Sequence, residues 1–279
     1  MKKTRIAPTP SGYLHAGNAF NFLLTDRVAK ATGTKVVLRI DDLDAERTRP
    51  EYIEDIFRSL DWLGITVDEG PSGVDDFRAN WSQQLRLDRY ARSVDELRGK
   101  GVLYPCDCSR QHFERHTRHA HACRSSHGGI TKGSTPWRLR LPEPCPIVVE
   151  QLDGKKEQVD LAASLPDPII VQRHSGRPAY QIASLSDDLD MGITWIIRGA
   201  DLLASTACQS HLARLLDRPA FAAVLFHHHP LMADAQGRKL SKSAGSASLK
   251  AIRDAGGSPH HLIRQAQIHA EALLKHLVP

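Results

Sequence analysis

The sequence contains no stretch of about 18 consecutive apolar residues, so it predicts no transmembrane helix. Residues 1–5 are basic but run straight into Ile6 to Pro10 with no apolar segment between, so no secretory signal is expected and the cytoplasm is the expected compartment. Its five cysteines (Cys106, Cys108, Cys123, Cys145 and Cys208) are odd in number and lack a framework spacing. That argues against a disulfide scaffold and leaves room for a metal site. Internal repeats and low-complexity segments are also missing. What is present is ordinary for a globular chain: 279 residues, 41% hydrophobic and 25% charged. This excludes a disordered or collagen-like chain, and the length suits roughly two domains with a sizeable core.

The charge is unevenly placed. The chain has 37 basic and 32 acidic side chains, a net of +5. Between Ser109 and Arg140 lie seven basic residues (Arg110, Arg115, Arg118, Arg124, Lys132, Arg138 and Arg140) against the single acid Glu114, so the remainder is close to neutral. A local excess of this kind points to a surface that meets a polyanion; a solvated loop has the same composition.

The N-terminal third alternates strand and helix. Thr4 to Ala7 reads as a short strand, and Gly17 to Thr32 has helical apolar spacing at Phe20, Leu23, Leu24 and Val28, with Gly33 as its stop. Lys35 to Ile40 is a continuous apolar run, as a buried parallel strand requires. Pro50 starts the next helix, which Gly64 stops. This order predicts βαβ units and a parallel sheet. From about Lys100 to Pro166 the pattern changes to close cysteines, histidines and short strand-like pieces at 137–141 and 147–152, which read as an insertion. The βα pattern is expected to resume at Ile169 to Val171 and Tyr180 to Leu185. Further strands are expected at 195–198 and 224–228, with helices over 202–216 and 259–277.

Two segments carry the chemistry. In Arg5 to Asn18 a strand ends, prolines stiffen the turn and a helix opens near Gly17. A helix start offers free N–H groups and a positive dipole end to an anion, Gly17 permits close approach to the backbone, and His15 adds a donor. A tight strand–helix turn with an incidental histidine has the same composition. In Gly237 to Ser243, Lys239 and Lys242 lie three apart among small hydroxyl residues, which suits closure on a phosphoryl transition state. A plain basic loop has this composition too.

Taken together and in this order, the two segments resemble the two signatures of the class I aminoacyl-tRNA synthetases. His15 to Asn18 is similar to the first, with Asn18 where the pattern has a second histidine, and Lys239 to Ser243 is similar to the second. Arg5 to Gly17, Arg39 to Asp44, Pro178 to Ala183 and Asp187 to Leu203 are similar to the glutamyl branch, so the resemblance spans nearly the whole chain. Only 36 residues follow Ser243, fewer than a domain needs. Within the branch the chain therefore resembles the truncated glutamyl-Q tRNA(Asp) synthetases. This implies an α/β, Rossmann-like class I catalytic domain with a zinc-binding insertion and no anticodon-binding domain. The expected boundaries are 1–98 for the first catalytic part, 99–165 for the insertion and 166–279 for the second part.

The resemblance also implies an activity: ATP-dependent adenylation of L-glutamate, with Mg²⁺ accompanying ATP, then transfer to the queuosine base in the anticodon loop of tRNA(Asp). Neither a membrane nor a protein partner is implied. His15 and Lys242 are the implied catalytic residues. Arg5, Ala7, Thr9, Asp41, Tyr180 and Arg198 are the implied glutamate pocket, with Arg5 and Arg198 gripping the two carboxylates as guanidinium groups are suited to do. Asp41 stands where the family has Glu, one methylene shorter, toward the substrate's amino group; Asp42 and Asp44 are expected to order the loop. His15, Gly17, Asn18, Lys239, Ser241 and Lys242 are the implied ATP contacts. One structural zinc is expected on Cys106, Cys108, Cys123 and a fourth ligand. His119 takes the family's tyrosine position, and His112, His116 and His121 compete with it. Cys145 and Cys208 are expected in the core. Two other readings remain: the same adenylation chemistry on a different amino acid or acceptor, and a catalytically silent tRNA-binding module. The second would predict damaged ATP motifs, whereas His15, Gly17 and Lys242 are all present.

Overall fold

The computed structural model describes residues 2–108, 135–173, 175–231 and 248–277. Strand β1 (Lys3–Ile6) leads into helix α1 (Ala16–Thr32). His15 caps that helix. Its Nδ1 accepts from the Gly17 amide at 3.1 Å, and Asn18 Oδ1 accepts from the His15 amide at 3.1 Å, which satisfies two donors near the helix start. Gly33 closes α1 in the left-handed conformation (φ 61°), its amide donating to Ala29 O. Strand β2 (Lys35–Leu38) then returns parallel to β1, with Lys3 opposite Lys35 and Ile6 opposite Leu38. Helix α2 (Pro50–Trp62) begins on Pro50, where a missing N–H costs nothing.

Next come helix α3 (Leu87–Gly99), strands β3 (Leu103–Pro105) and β4 (Trp137–Leu139), the hairpin β5 (Pro146–Glu150) with β6 (Lys156–Asp160), and strand β7 (Ile169–Val171). Strand β7 does not resume the parallel pattern: it pairs antiparallel with β4, in the sheet β3-β4-β7. A three-residue apolar run has no periodicity from which to tell a parallel strand from an antiparallel one, so its partner decides. Helix α4 (Tyr180–Asp190), strand β8 (Trp195–Gly199), helix α5 (Leu203–Leu215) and strand β9 (Leu225–His229) follow, with β8 and β9 parallel. Helices α6 (Leu249–Asp254) and α7 (His260–Leu274) complete the described elements.

The pairs β1–β2 and β8–β9 meet where the Thr194 amide donates to Lys3 O at 2.8 Å. Side chains alternate across these strands. Ile6, Val36, Leu38, Trp195 and Ile197 join α1, α2 and α7 in one core, whereas Val37 and Ile196 face a second core built from α3, α4, α5 and the β5–β6 hairpin. Burial on both faces explains why the strands read as unbroken apolar runs. Phe20, Leu23 and Leu24 are essentially sealed from solvent. Each such side chain contributes about 1.5–3 kcal/mol of transfer free energy. Cys145 and Cys208 are buried in the second core, as expected.

Candidate active site

The carboxyl ends of β1, β2, β8 and β9 converge on a cavity of about 470 Å³. An open parallel sheet binds ligands at this edge, where the chain runs outward on opposite sides from two neighbouring strands. Arg5 and Ala7 come from the end of β1, Asp41 from just past β2, and Arg198 from β8. His15, Gly17 and Asn18 line the cavity from the start of α1, Tyr180 from the first turn of α4, and Thr9 from the intervening turn. Nine residues singled out in the sequence are thus brought together. A larger cavity of about 750 Å³ opens between β5 and α5 and touches none of them. The chain leaves the first cavity at Leu231 and returns at Ser248, which bridges to His15. Lys239, Ser241 and Lys242 lie between, outside the described residues.

Arg198 is 2% exposed. Its Nη1 donates backward, to Thr206 Oγ1 at 3.2 Å and to Gln209 Oε1 at 3.1 Å. Its Nε and Nη2 are buried and have no hydrogen-bond partner among the described residues, and Gln209 Nε2 is in the same condition. Leaving such donors unpaired costs about 1–3 kcal/mol each, and more for a charged group. The Nε–Nη2 edge is the guanidinium fork that matches a carboxylate with two parallel hydrogen bonds. On a residue that lines the cavity, this edge has the chemistry to bind an anion. Arg5 is the second cation here. Burial, together with Arg198 and Arg39, outweighs Asp188 and pulls its pKa down to about 10. His15 Nδ1 already accepts from an amide, so its ring proton resides on Nε2, and the imidazole is a donor at the mouth of α1.

Beneath the cavity runs a buried polar network. Arg39 pairs bidentately with Asp41, Nε to Oδ1 at 2.7 Å and Nη2 to Oδ2 at 3.0 Å, and donates from Nη1 to Asp188 at 2.7 Å. Asp188 also takes Arg5 Nε at 3.2 Å. Burial opposes the Arg39 charge, but Asp188 and Asp41 outweigh it and hold its pKa well above the ordinary value. Burial pushes Asp41 upward against the pull of Arg39. Asp41 therefore lines the cavity with its charge already matched by a neighbour. Asp187 accepts from Arg86 at 2.9 and 3.0 Å, Tyr90 at 2.7 Å and Gln83 at 2.9 Å. These donors and Arg39 lower its pKa despite burial. Asp42 accepts from Ser82 Oγ at 2.5 Å and the Gln83 amide at 2.7 Å, which orders the loop after β2.

Sequence reasoning assigned no role to Arg39, Gln83, Asp187, Asp188, Thr206 or Gln209. A signal was available for some of them. Asp187 and Asp188 sit on the buried side of α4 among Ile182, Ala183 and Leu185, and adjacent aspartates in a core helix require partners. Arg138, counted in the basic stretch, also reads differently in the fold. It is buried, donating to Asp167 O and Cys108 O at 3.0 Å each, because β4 is covered on both sides. Arg110, Arg115, Arg118, Arg124 and Lys132 lie outside the described residues.

Cys106 and Cys108 follow β3 and cluster with Tyr104, apart from the two main cores. Two clustered thiols supply half of a tetrahedral N/S set and so fit zinc as far as they go. Cys123 and the candidate histidines His112, His116, His119 and His121 lie outside the described residues. Among the described residues, no three His, Cys, Asp or Glu side chains converge on one point. Nor is any described helix long and apolar enough to cross a membrane.

A parallel α/β sheet with a charged cavity at its switch point defines a nucleotide-fold enzyme domain. Residues 2–268 match the tRNA synthetases class I (E and Q), catalytic domain, and the chain belongs to this family. A glutamyl-Q tRNA(Asp) synthetase of Nitratidesulfovibrio vulgaris is 35% identical over 274 residues, covering 92% of this chain and 82% of that protein. One from Burkholderia orbicola is 38% identical over 258 residues, again covering 82% of the relative. A glutamate–tRNA ligase 2 of Ruegeria sp. is 34% identical, but the chain spans only 60% of its length. The fold is similar to that of a glutamate-tRNA synthetase from Elizabethkingia anophelis (TM-score 0.72, 23% identity, covering 95% of this chain and 61% of that one).

Proposed function

We propose that this chain joins L-glutamate to ATP as an adenylate and passes the glutamyl group to the queuosine base in the anticodon loop of tRNA(Asp). The observation that carries this reading is the buried Nε–Nη2 fork of Arg198, without a partner among the described residues, beside Arg5 in a cavity that begins at the mouth of α1. Two guanidinium groups suit a substrate with two carboxylates. Ala7, Thr9 and Tyr180 complete the pocket wall, and Asp41 faces the amino group. In the first step a glutamate α-carboxylate oxygen bonds to the α-phosphorus of ATP, and the α–β bridging bond breaks toward pyrophosphate. No protein nucleophile is needed. His15 Nε2–H and the side chains of Lys239, Ser241 and Lys242 take up the phosphate charge, with Mg²⁺ arriving on ATP. Gly17 and Asn18 line the cavity beside them; their amides are already spent on His15. In the second step a queuosine hydroxyl attacks the activated carbonyl and AMP departs.

Cys106, Cys108, Cys123 and His119 hold a structural zinc in this reading, which stiffens the insertion over 99–165 between catalytic parts 1–98 and 166–279. The basic residues outside the described part, Arg115, Arg118 and Arg124 among them, meet the tRNA backbone. Relatives named glutamyl-Q tRNA(Asp) synthetase, covered over 82% of their length, support the acceptor. The comparable identity to glutamate–tRNA ligase 2 favours a second reading, with the tRNA 3′ end as acceptor.

The test is ATP–pyrophosphate exchange across the amino acids, followed by labelling of tRNA(Asp) with and without queuosine. Exchange with glutamate, and labelling only of the queuosine-bearing tRNA even after removal of its 3′-terminal adenosine, are expected. Equal labelling of both tRNAs, or loss of label with that adenosine, establishes the second reading. Exchange with no amino acid establishes a silent tRNA-binding module.

A further inference from the structure

The fork of Arg198 is held in place from behind, and the support extends into the β5–β6 hairpin. Thr206 Oγ1 accepts from Arg198 Nη1 at 3.2 Å, and lies 2.8 Å from His228 Nε2 and 3.2 Å from Leu202 O. His228 Nδ1 in turn meets the Gln151 side-chain amide, with Nε2 at 3.0 Å and Oε1 at 3.3 Å. The ring is therefore hydrogen-bonded at both nitrogens in either tautomer. Gln151 Nε2 also donates to Glu157 Oε2 at 3.0 Å. Arg198 and His228 are also register partners in the parallel pair β8–β9, so both side chains leave the same face of the sheet. The Phe226 ring stacks on His228 at 6.0 Å and lies under the Arg198 guanidinium at 5.7 Å. The imidazole does not compete with the guanidinium for charge. Burial, reinforced by Arg198, pushes the pKa of His228 down to about 3.

We propose that His228 is a positioning residue for Arg198: through Thr206 it fixes Nη1 and, with it, the orientation of the guanidinium in the cavity wall. This rests on the reading that the cavity takes an amino-acid carboxylate. Losing the imidazole leaves Thr206 free to rotate its lone pair away from Arg198. The fork then spreads over several orientations, and substrate binding must restrict them again. The effect falls on the amino-acid site and not on ATP.

The experiment measures KM for glutamate and for ATP separately in pyrophosphate exchange, with active sites titrated for each variant. His228→Leu and Thr206→Val are expected to raise the glutamate KM about 5- to 20-fold at an unchanged ATP KM. The double variant should be no worse than the worse single, since both remove one link. His228→Gln, whose amide reaches the Nε2 position, is expected to restore the glutamate KM to within about twofold of the natural protein. An unchanged glutamate KM in His228→Leu overturns the proposal. So does a loss seen only as fewer active sites, or an equal rise in both KM values, because these report damaged folding. If the natural protein exchanges with another amino acid and not glutamate, the substrate reading fails while the same split, read with that amino acid, still decides the role of His228. If no amino acid supports exchange, both fall.

Discussion

Arg39 donates to Asp188 at 2.7 Å across 149 residues of sequence, and both side chains are sealed from solvent. The contact ties the end of β2 to α4 and, through Asp188, to Arg5 on β1. Removing one partner of a buried pair leaves an uncompensated charge, and here Arg5 loses its paired carboxylate while Arg39 keeps only Asp41. Asp188→Ala should lower unfolding free energy by about 3–5 kcal/mol, read in urea denaturation. Asp190, two residues on, pairs with Arg89 near the surface, and its alanine variant should cost no more than about 1 kcal/mol. Equal losses in the two variants would show that Asp188 is not the tie.

The unpaired Nε–Nη2 edge of Arg198 predicts a sharp distinction between guanidinium and ammonium. Arg198→Lys keeps the charge but cannot present two parallel donors. Losing one charge-assisted hydrogen bond of about 1.5–3 kcal/mol lowers kcat/KM for glutamate by about 10- to 100-fold, with the ATP KM held. Exchange assays at varied glutamate check this, and a variant within twofold of the natural protein would refute the fork.

Stability should decline on the acid side of neutrality. Burial, helped by His229, lowers His227 from the usual 6.5 to about 4, with Asp153, His269 and Lys155 also facing it. Between those values the unfolded chain takes up a proton that the folded chain refuses. The unfolded state then binds more protons, so stability rises with pH and is lost as pH falls from about 6.5 toward about 4. His228 extends the same trend to about 3. His227→Gln should flatten the fall in Tm between pH 7 and pH 4.5. Parallel curves for the two proteins would contradict the assignment.

Metal analysis of the purified chain should give about one zinc per molecule, the occupancy of a single structural site. Cys106→Ser and Cys108→Ser should each lose it and melt at lower temperature. A full zinc complement in both serine variants would remove the two thiols from the ligand set.

Neutralising Arg115, Arg118 and Arg124 together should weaken tRNA labelling and flatten its dependence on salt, while adenylate formation continues. Labelling and exchange are measured side by side from 50 to 200 mM salt. An equal loss in both assays returns the stretch to a solvated loop.

Much of this was legible along the chain. Gly33 and Pro50 marked helix ends because their φ preferences are intrinsic, and the continuous run at Lys35 to Leu38 announced a strand buried on both faces. Arg5, His15, Asp41 and Arg198 were recognisable because their segments are long and specific. The antiparallel pairing of β7 and the inward turn of Arg138 were not, since three residues of strand carry no directional signal.

By itself, the sequence determined the order of strands and helices, the start of α1 near Gly17 and the residues able to handle carboxylate and phosphate. These follow from local sterics, periodicity and side-chain chemistry. Only the tertiary structure decided that Arg39 matches Asp41 and Asp188, and that Arg198 turns Nη1 to Thr206 and keeps Nε and Nη2 without a partner among the described residues. A guanidinium can serve many acceptors. Which ones it meets depends on how the backbone aims it: Asp41 and Thr206 lie nearby along the chain, but Asp188, 149 residues from Arg39, meets it only because α4 packs beside the end of β2.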